Sequence, residues 1–366
     1  MILHSLTLEN FRNVTQQTVV FHDGVNVIAG ANAQGKTNLL EGAAFWAAAR
    51  SFRTVRDEEL IRSGQPDAYL RADFTARGRT QKLEAVMTRS GQKKLTLNGV
   101  PLKTVRELVG VLPSAVFTPS DLGLVQEGPA LRRRLMDMVL CQIEPAYLSA
   151  LSRYNKVLRQ KQKLLRKHGP QDHDLFAAYN AQLAKYGAAL IPYRASFVEA
   201  MSELARGIHA TLSRGREILS LQYKTVSAVH DPRAPAAELE ATLAGHFAFR
   251  LPQEIACQFC LTGPQRDNFL LNINENELRV FASQGQARTA AIAVKMAERA
   301  YFMRELGEPP LLLLDDVLSE LDEHRRRVVL TELTQGQVLI TCCDSRRTRF
   351  LGGRVIRVKT GVYIAS

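Results

Sequence analysis

A strand-like run, VNVIAG (residues 25–30), passes directly into GANAQGKT (30–37) and then into the helix-forming TNLLEGAAFWAAAR (37–50). This succession constrains the fold more than any other part of the chain. Gly30, Ala31, Asn32, Ala33, Gln34, Gly35, Lys36 and Thr37 fit the pattern G-x-x-x-x-G-K-[ST], which carries meaning when a strand precedes it and a helix follows. Glycines let backbone N–H groups turn inward around phosphate oxygens, and the helix start adds the positive end of its dipole. The Lys36 ammonium is placed to reach the β- and γ-phosphates of a nucleotide, and the Thr37 hydroxyl to ligate Mg²⁺. A glycine-rich turn with a chance Lys-Thr is the bland alternative; pattern and flanks together weigh against it.

Three further pieces lie far downstream. Pro309-Pro310 opens the apolar run Leu311–Leu314, which ends in Asp315-Asp316. Such a run suits a strand buried on both faces of a parallel sheet, whose carboxyl end is where ligands bind. Asp315 would hold Mg²⁺, directly or through water, and Asp316 would orient an attacking water. Taken alone, the run also admits the lesser alternative of a buried strand capped by two solvated acids. Ser283-Gln284-Gly285-Gln286 opens an Ala-rich helix and offers a hydroxyl and free N–H groups to an anion; alone, it is an ordinary N-cap. Leu318-Ser319-Glu320-Leu321-Asp322 follows the paired acids and by itself marks an ordinary helix start.

At 366 residues the chain is long enough for about two domains. Strand-like segments fill the first 30 residues and recur at YLRADFTA, QKLEAVMT and KKLTLNGV, the last with a hairpin signal at Leu97–Gly99. From Pro129 to about Leu251 the pattern is helical, broken at His168-Gly169-Pro170 and at Asp231–Pro235 and interrupted by the strand-like ILSLQYKTV. Strand, loop and helix alternate again from Ile255 to the terminal RVIRVK and GVYIAS. The expected fold class is α/β: a discontinuous domain over 1–125 and 252–366, with a mainly helical arm, 126–251, inserted in it.

Charge adds a partner class. With 48 basic and 36 acidic residues, the net charge is +12. Seven of these cations fall between Arg153 and Lys167 without an acid: Arg153, Lys156, Arg159, Lys161, Lys163, Arg166 and Lys167. The run is a solvated helix face or a surface that tracks phosphates. Arg132-Arg133-Arg134 form a second cluster. No base-reading motif is visible, so backbone contacts, strong salt dependence and weak sequence preference are expected of any nucleic-acid binding. Five cysteines are too few and odd in number for a disulfide scaffold, no apolar run reaches membrane length, and the N-terminus reads as a strand rather than a signal peptide. A cytoplasmic protein is expected. Cys257-x-x-Cys260 and Cys342-Cys343 lack ribbon spacing and are read as ordinary buried thiols rather than zinc ligands. Trp46 is read as core. Arg12 and Arg53 either reach phosphate, cross an interface, or form surface salt bridges.

The four pieces in this order resemble the ABC-type, SMC-like P-loop ATPases. More closely, the whole chain resembles the RecF family of bacterial recombination mediators. The closer likeness rests on Phe11-Arg12-Asn13, Ser51-Phe52-Arg53, Pro119-Ser120-Asp121-Leu122 with Gly128-Pro129, Arg132-Arg133 and Asp137, and Thr262-Gly263-Pro264-Gln265-Arg266-Asp267-Asn268. Gln265 and Asn268 stand where the family usually has His and Asp, which puts any proton or metal role there in doubt. Phe117–Asp121 matches the stretch where a polar residue couples head to arm, and Asp121 is the candidate. The resemblance implies an ATPase head in which Ser283–Gln286 is the signature segment and Ser319 to Asp322 the D-loop. ATP and Mg²⁺ are the implied cofactors. It further implies an ATP-dependent homodimer that binds gapped or single-strand/double-strand junction DNA in repair, replication restart and the SOS response. Arg132, Arg133, Arg153, Lys156, Arg159 and Lys163 are the candidate DNA contacts, and RecR and RecO-type mediators the partners. Asp316, shorter than the Glu common in transporter cassettes, suggests slow, switch-like hydrolysis. The ATPase subunit of a membrane transporter is the competing class; its usual Leu-Ser-Gly-Gly signature differs from Ala282–Gly285, and the insert is basic and too long. A nuclease of the overcoming-lysogeny type would need an acidic metal-binding domain that this sequence lacks.

Overall fold

The computed structural model describes residues 1–54, 56–167, 173–332, 335–343 and 352–365. The chain divides into two compact units. One comprises Met1–Gly123, Thr211–Gly215 and Ala291–Ser366, the other Leu124–Ala210 and Arg216–Ala290.

The first unit begins with β1 (Ile2–Phe11), β2 (Val14–Val20), β3 (Val25–Ala29) and α1 (Lys36–Ala44), followed by β4 (Asp67–Ala76), β5 (Arg79–Thr88), β6 (Lys93–Leu97), β7 (Val100–Pro101) and β8 (Ser114–Phe117). β1 and β2 meet antiparallel across the tight turn at Arg12-Asn13. The antiparallel sheet runs in the order β2-β1-β4-β5-β6-β7. β4 alternates buried and half-buried residues along its length, as a strand with one covered face must.

The second unit contains α2 (Pro129–Ile143), α3 (Pro145–Lys167), α4 (His173–Ser213), β9 (Leu219–Lys224), α5 (Ala236–Cys257), β10 (Asn268–Ile273), β11 (Asn276–Glu277) and α6 (Leu278–Phe281). The boundary with the first unit then falls inside α7 (Gln284–Leu306). β12 (Leu311–Asp315), α8 (Glu323–Glu332), β13 (Val338–Cys342), β14 (Arg354–Lys359) and β15 (Val362–Ala365) return to the first unit. They complete its second sheet, ordered β15-β14-β3-β13-β12-β8, in which every pair is parallel except β14–β15.

Helix α1 shares one core with both sheets of the first unit. Leu39, Leu40, Ala43 and the following Phe45 and Trp46 are buried with Leu6, Leu8, Leu70 and Phe74 of the antiparallel sheet and Ile28, Leu313 and Leu339 of the parallel one. Gly42 permits the close approach: a Cβ there would stand 2.8 Å from Leu8 Cδ2. The helix stops at Ala44, short of the Arg50 expected from its composition, and tightens into a 3₁₀ turn at Phe45–Ala47. Trp46 is fully buried, edge-on to Phe45.

The strand-like ILSLQYKTV is β9, paired antiparallel with β10 in the register Leu221↔Leu271. This pairing departs from the expected domain limits. Residues from 252 to 290 group with the arm rather than with the head. The cause is visible in the interior of the second unit. Arg194, on α4, donates to Asp267 Oδ2 at 2.7 Å, to Pro264 O at 2.6 Å and to Asp137 Oδ1 at 2.9 Å. Thr225 and Tyr223 also donate to Asp267. Burial pushes the Asp267 carboxyl above its ordinary range, against the pull of Arg194 and the two hydroxyls. Tyr154 donates to Gln265, and Lys161 pairs with Glu254, both partners buried. The segment Thr262–Asn268 is therefore anchored to the arm by side chains from α2, α3, α4 and β9. The expected break at His168–Pro170 lies outside the described residues. Among the described residues, no helix is long and apolar enough to cross a membrane.

Removing one partner of a buried ion pair leaves the other charge uncompensated. Asp267→Ala is expected to lower the stability of this unit by about 3–5 kcal/mol, measured by denaturant unfolding.

Candidate functional site

Strand β13 lies between β3 and β12, all three parallel, so their carboxyl ends fall side by side. The phosphate-type loop leaves β3 there. Gly35 adopts φ 110°, a left-handed backbone that turns the chain into α1. Lys36 is largely buried, and its ammonium curls over the loop to donate to Gly30 O at 2.6 Å, with Asn32 Oδ1 at 3.4 Å. These are the contacts for which an anion in the loop would compete. The Gln34 side chain turns outward, where its Oε1 accepts from Thr360 N, and its carbonyl accepts from Gly361 N. A long side chain is thus accommodated without entering the cradle.

Thr37, at the start of α1, donates to Asp315 Oδ1 at 2.9 Å. Thr341, near the end of β13, donates to the same oxygen at 2.8 Å, and its hydroxyl accepts from Asp316 N. Asp316 itself sits at φ 52°, turning the backbone off the strand direction. Loop, first acid and second acid are thereby joined by two threonine hydroxyls. A hydroxyl and a carboxylate are hard oxygen donors of the kind Mg²⁺ takes, so Thr37 and Asp315 fit that ion.

Thr341 escaped the sequence reading, which takes Cys343 only as a buried thiol. Cys343 is exposed, 3.2 Å from Lys36 Nζ, and its thiol donates to Asn32 Oδ1 at 3.0 Å. The expectation of buried thiols holds for Cys260 and Cys342 and fails for the exposed Cys257 and Cys343. The last residues of QVLITCC run past the buried part of the strand, and only the sheet order brings them beside the loop.

The Phe11-Arg12-Asn13 motif is a support for this loop. Phe11 is in the core. Arg12 grips the fully buried Glu41 of α1 with two bonds, 2.9 and 2.6 Å, and donates to Glu59 O. Asn13 Oδ1 accepts from Asn38, and its amide donates to Gln34 O. Ser51 also donates to Glu41, while Arg53, more exposed, lies 3.5 Å from it. Asp121 closes a turn after β8 by accepting from Thr118 N and Oγ1. Ser319 donates to Asp316 O at 2.6 Å, and Asp322 caps α8 through Arg325 N. That backbone bond, with the Arg325 charge, holds the Asp322 carboxyl below its ordinary range.

In the second unit, Ser283 and Gln286 cap α7 reciprocally. Gln286 N donates to Ser283 Oγ and Ser283 N to Gln286 Oε1. Along α3, Arg153, Lys156, Arg159, Lys163, Arg166 and Lys167 are exposed, whereas Tyr154, Val157, Lys161 and Leu164 are buried. At 3.6 residues per turn these six cations occupy an arc of about 140° over about 20 Å. Arg132 corrects the expectation of a surface contact: it is buried, and its guanidinium donates to Leu124 O, Glu127 O and Asn268 Oδ1. Arg133 is half-buried and donates to Asp267 O. Both stabilise the arm's interior. Gln265 and Asn268 serve it too, as partners of Tyr154 and Arg132.

The RecF/RecN/SMC N terminal domain family matches residues 2–361. The chain is 39% identical over 369 residues to the DNA replication and repair protein RecF of Symbiobacterium thermophilum, spanning 100% of this chain and 98% of that protein. It is 36% identical over 366 residues to the protein of the same name from Agathobacter rectalis, spanning 99% and 98%. A solved structure of the recombination mediator protein RecF-ATPrS in the RecFOR pathway matches with a TM-score of 0.91 at 32% identity, over 99% of this chain and 97% of that one. The RecF-ATP structure of the same pathway matches at 0.92 and 31%, over 100% and 97%. An Smc head bound to the C-winged helix domain of ScpA shares the fold, with a TM-score of 0.60 at 15% identity over 100% and 97%.

Because Glu41 is fully buried, Arg12→Ala is expected to lower stability by about 3–5 kcal/mol, far beyond the range of an exposed ion pair. Thermal or urea unfolding checks this.

Proposed function

The chain belongs to the RecF family, within the wider RecF/RecN/SMC N-terminal group, and from that premise we propose that it is an ATP-dependent DNA-binding switch in recombinational repair and replication restart. One observation carries the reading: Lys36, Thr37 and Asp315–Asp316, far apart in sequence, converge at the carboxyl ends of β3, β13 and β12. The Lys36 ammonium exchanges its contact with Gly30 O for the β- and γ-phosphates of ATP, and the loop's N–H groups surround them. Thr37 and Asp315 would hold Mg²⁺, which would supply charge neutralisation at the phosphates. Asp316 orients the attacking water and takes up its proton. The short reach of that carboxylate makes turnover slow.

Ser283 of a second copy completes the site from outside by donating to the γ-phosphate, with Ser319 and Asp322 at the same interface. ATP bridging two copies stabilises the dimer by its own binding energy, and loss of the γ-phosphate releases it. Two arms then present the α3 stripe to DNA. Exposed Arg153, Lys156, Arg159 and Lys163 at three- to four-residue spacing suit a phosphate backbone rather than base edges. A gapped duplex or a junction is the substrate the family resemblance favours, and mediators of the RecR and RecO type are the partners, in keeping with the pathway of the matching structures. A transporter ATPase subunit is disfavoured, since the relatives matching across the full chain are named as repair proteins.

Lys36→Ala is expected to abolish binding of a fluorescent ATP analogue. Ser283→Arg is expected to bind it as a monomer yet form no ATP-dependent dimers by light scattering; dimers in that variant would remove Ser283 from the interface. Replacing Lys156, Arg159 and Lys163 by Gln is expected to lower the slope of log K against log salt by about 3 for each arm on the DNA, about 6 for the dimer, read by anisotropy of a labelled gapped duplex.

A further inference from the structure

The Gln286 amide is held at both ends. Its Oε1 accepts from Ser283 N at 2.9 Å, and its Nε2 donates to Glu217 Oε1 at 2.8 Å. Glu217 lies 69 residues away in sequence, just before β9, and outside every motif. Its second oxygen, Oε2, lies 3.1 Å from Nε2 of His209, a fully buried residue of α4. All four residues belong to the second unit.

The carboxylate settles which way the amide faces. With Glu217 accepting from Nε2, Gln286 must turn Oε1 toward Ser283 N. The flipped amide would set acceptor against acceptor at Glu217 and donor against donor at Ser283 N. The same arrangement fixes the serine. Ser283 Oγ accepts from Gln286 N at 3.2 Å, so its own proton is left to donate outward, the polarity a phosphate oxygen requires.

We propose that Glu217, backed by His209, is a positioning residue for the signature segment. It fixes the Gln286 amide and, through the reciprocal cap, the Ser283 hydroxyl offered to the nucleotide of a second copy. This rests on the reading of Ser283–Gln286 as the segment that caps ATP across the dimer. The partners of Glu217 are Gln286 and His209, neither of them in the phosphate-type loop, so its effect is expected on dimerisation and not on nucleotide binding by the monomer.

The test measures ATP-analogue affinity of the monomer and ATP-dependent dimerisation of the full chain for a set of variants. Glu217→Ala is expected to leave monomer affinity unchanged and to weaken dimerisation about tenfold, the scale of one charge-assisted hydrogen bond. Gln286→Glu, which sets two carboxylates together, is expected to weaken it as much. The pair Glu217→Gln with Gln286→Glu restores the bond with its polarity reversed and is expected to return dimerisation to within about threefold of wild type. Should Glu217→Ala fail to fold, as judged by its melt, the Gln286→Glu variant and the exchanged pair decide the matter. Wild-type dimerisation in Glu217→Ala, or an exchanged pair no better than Gln286→Glu alone, overturns the proposal. Ser283→Arg separates the two failures. If it abolishes dimers while Glu217→Ala does not, only the positioning role falls; if it still dimerises, the capping reading falls and this role with it.

Discussion

One oxygen of Asp315 accepts two threonine hydroxyls, one from the first turn of α1 and one from β13. The arrangement at the phosphate-type loop depends on that junction. It exists because β13 inserts between β3 and β12, which the chain forms some 280 residues apart, and because parallel pairing aligns their carboxyl ends. The core then holds the loop's helix from the other side. Gly42 brings α1 onto β1, and Arg12 locks Glu41 against the turn that follows β1. A helix clamped at both faces keeps its first turn fixed, so Lys36 and Thr37 have little freedom to miss the acids.

The arm follows a different electrostatic rule. Among the described residues, its buried charges have polar partners: Arg194 with Asp267 and Asp137, Lys161 with Glu254, and Arg132 on carbonyls and Asn268. Such groups are costly to bury, and their partners are what make them tolerable. Six of its exposed cations are ordered along one face of α3, while others, such as Lys185, Arg206 and Lys224, lie on other elements. The net charge of +12 is therefore a mixture: some arginines and lysines stabilise the arm internally, and others, the α3 stripe among them, face solvent.

Local chemistry was legible in the sequence wherever a backbone task demanded a residue type. The strand–loop–helix unit around Gly30–Thr37, the acid-ended strand at Leu311–Asp315 and the capping pair Ser283–Gln286 all lie where the pattern set them. What could not be read is adjacency across the chain. Thr341 and Cys343 reach the site only through strand order. Arg132 and Arg133 looked like surface charge until Asn268 and the Asp267 carbonyl supplied their partners. The arm's second limit lies at 290 rather than 251 because Asp267 and Glu254 bond to arm helices, a fact that composition does not carry. The stretch Thr262–Asn268 carried the family resemblance, with a proton or metal role at Gln265 and Asn268 in doubt. In the structure its residues organise the arm's interior.

In the proposed switch, nucleotide at the β3–β13–β12 junction couples dimerisation to DNA binding. Sedimentation velocity of the full chain, alone, with ATP, with a gapped duplex, and with both, measures this coupling. A monomer is expected in the absence of ATP, a dimer with ATP, and a dimer–duplex complex when both are present, with complex formation falling steeply as salt rises. A monomer under all four conditions, or DNA binding of equal strength with and without ATP, would contradict it.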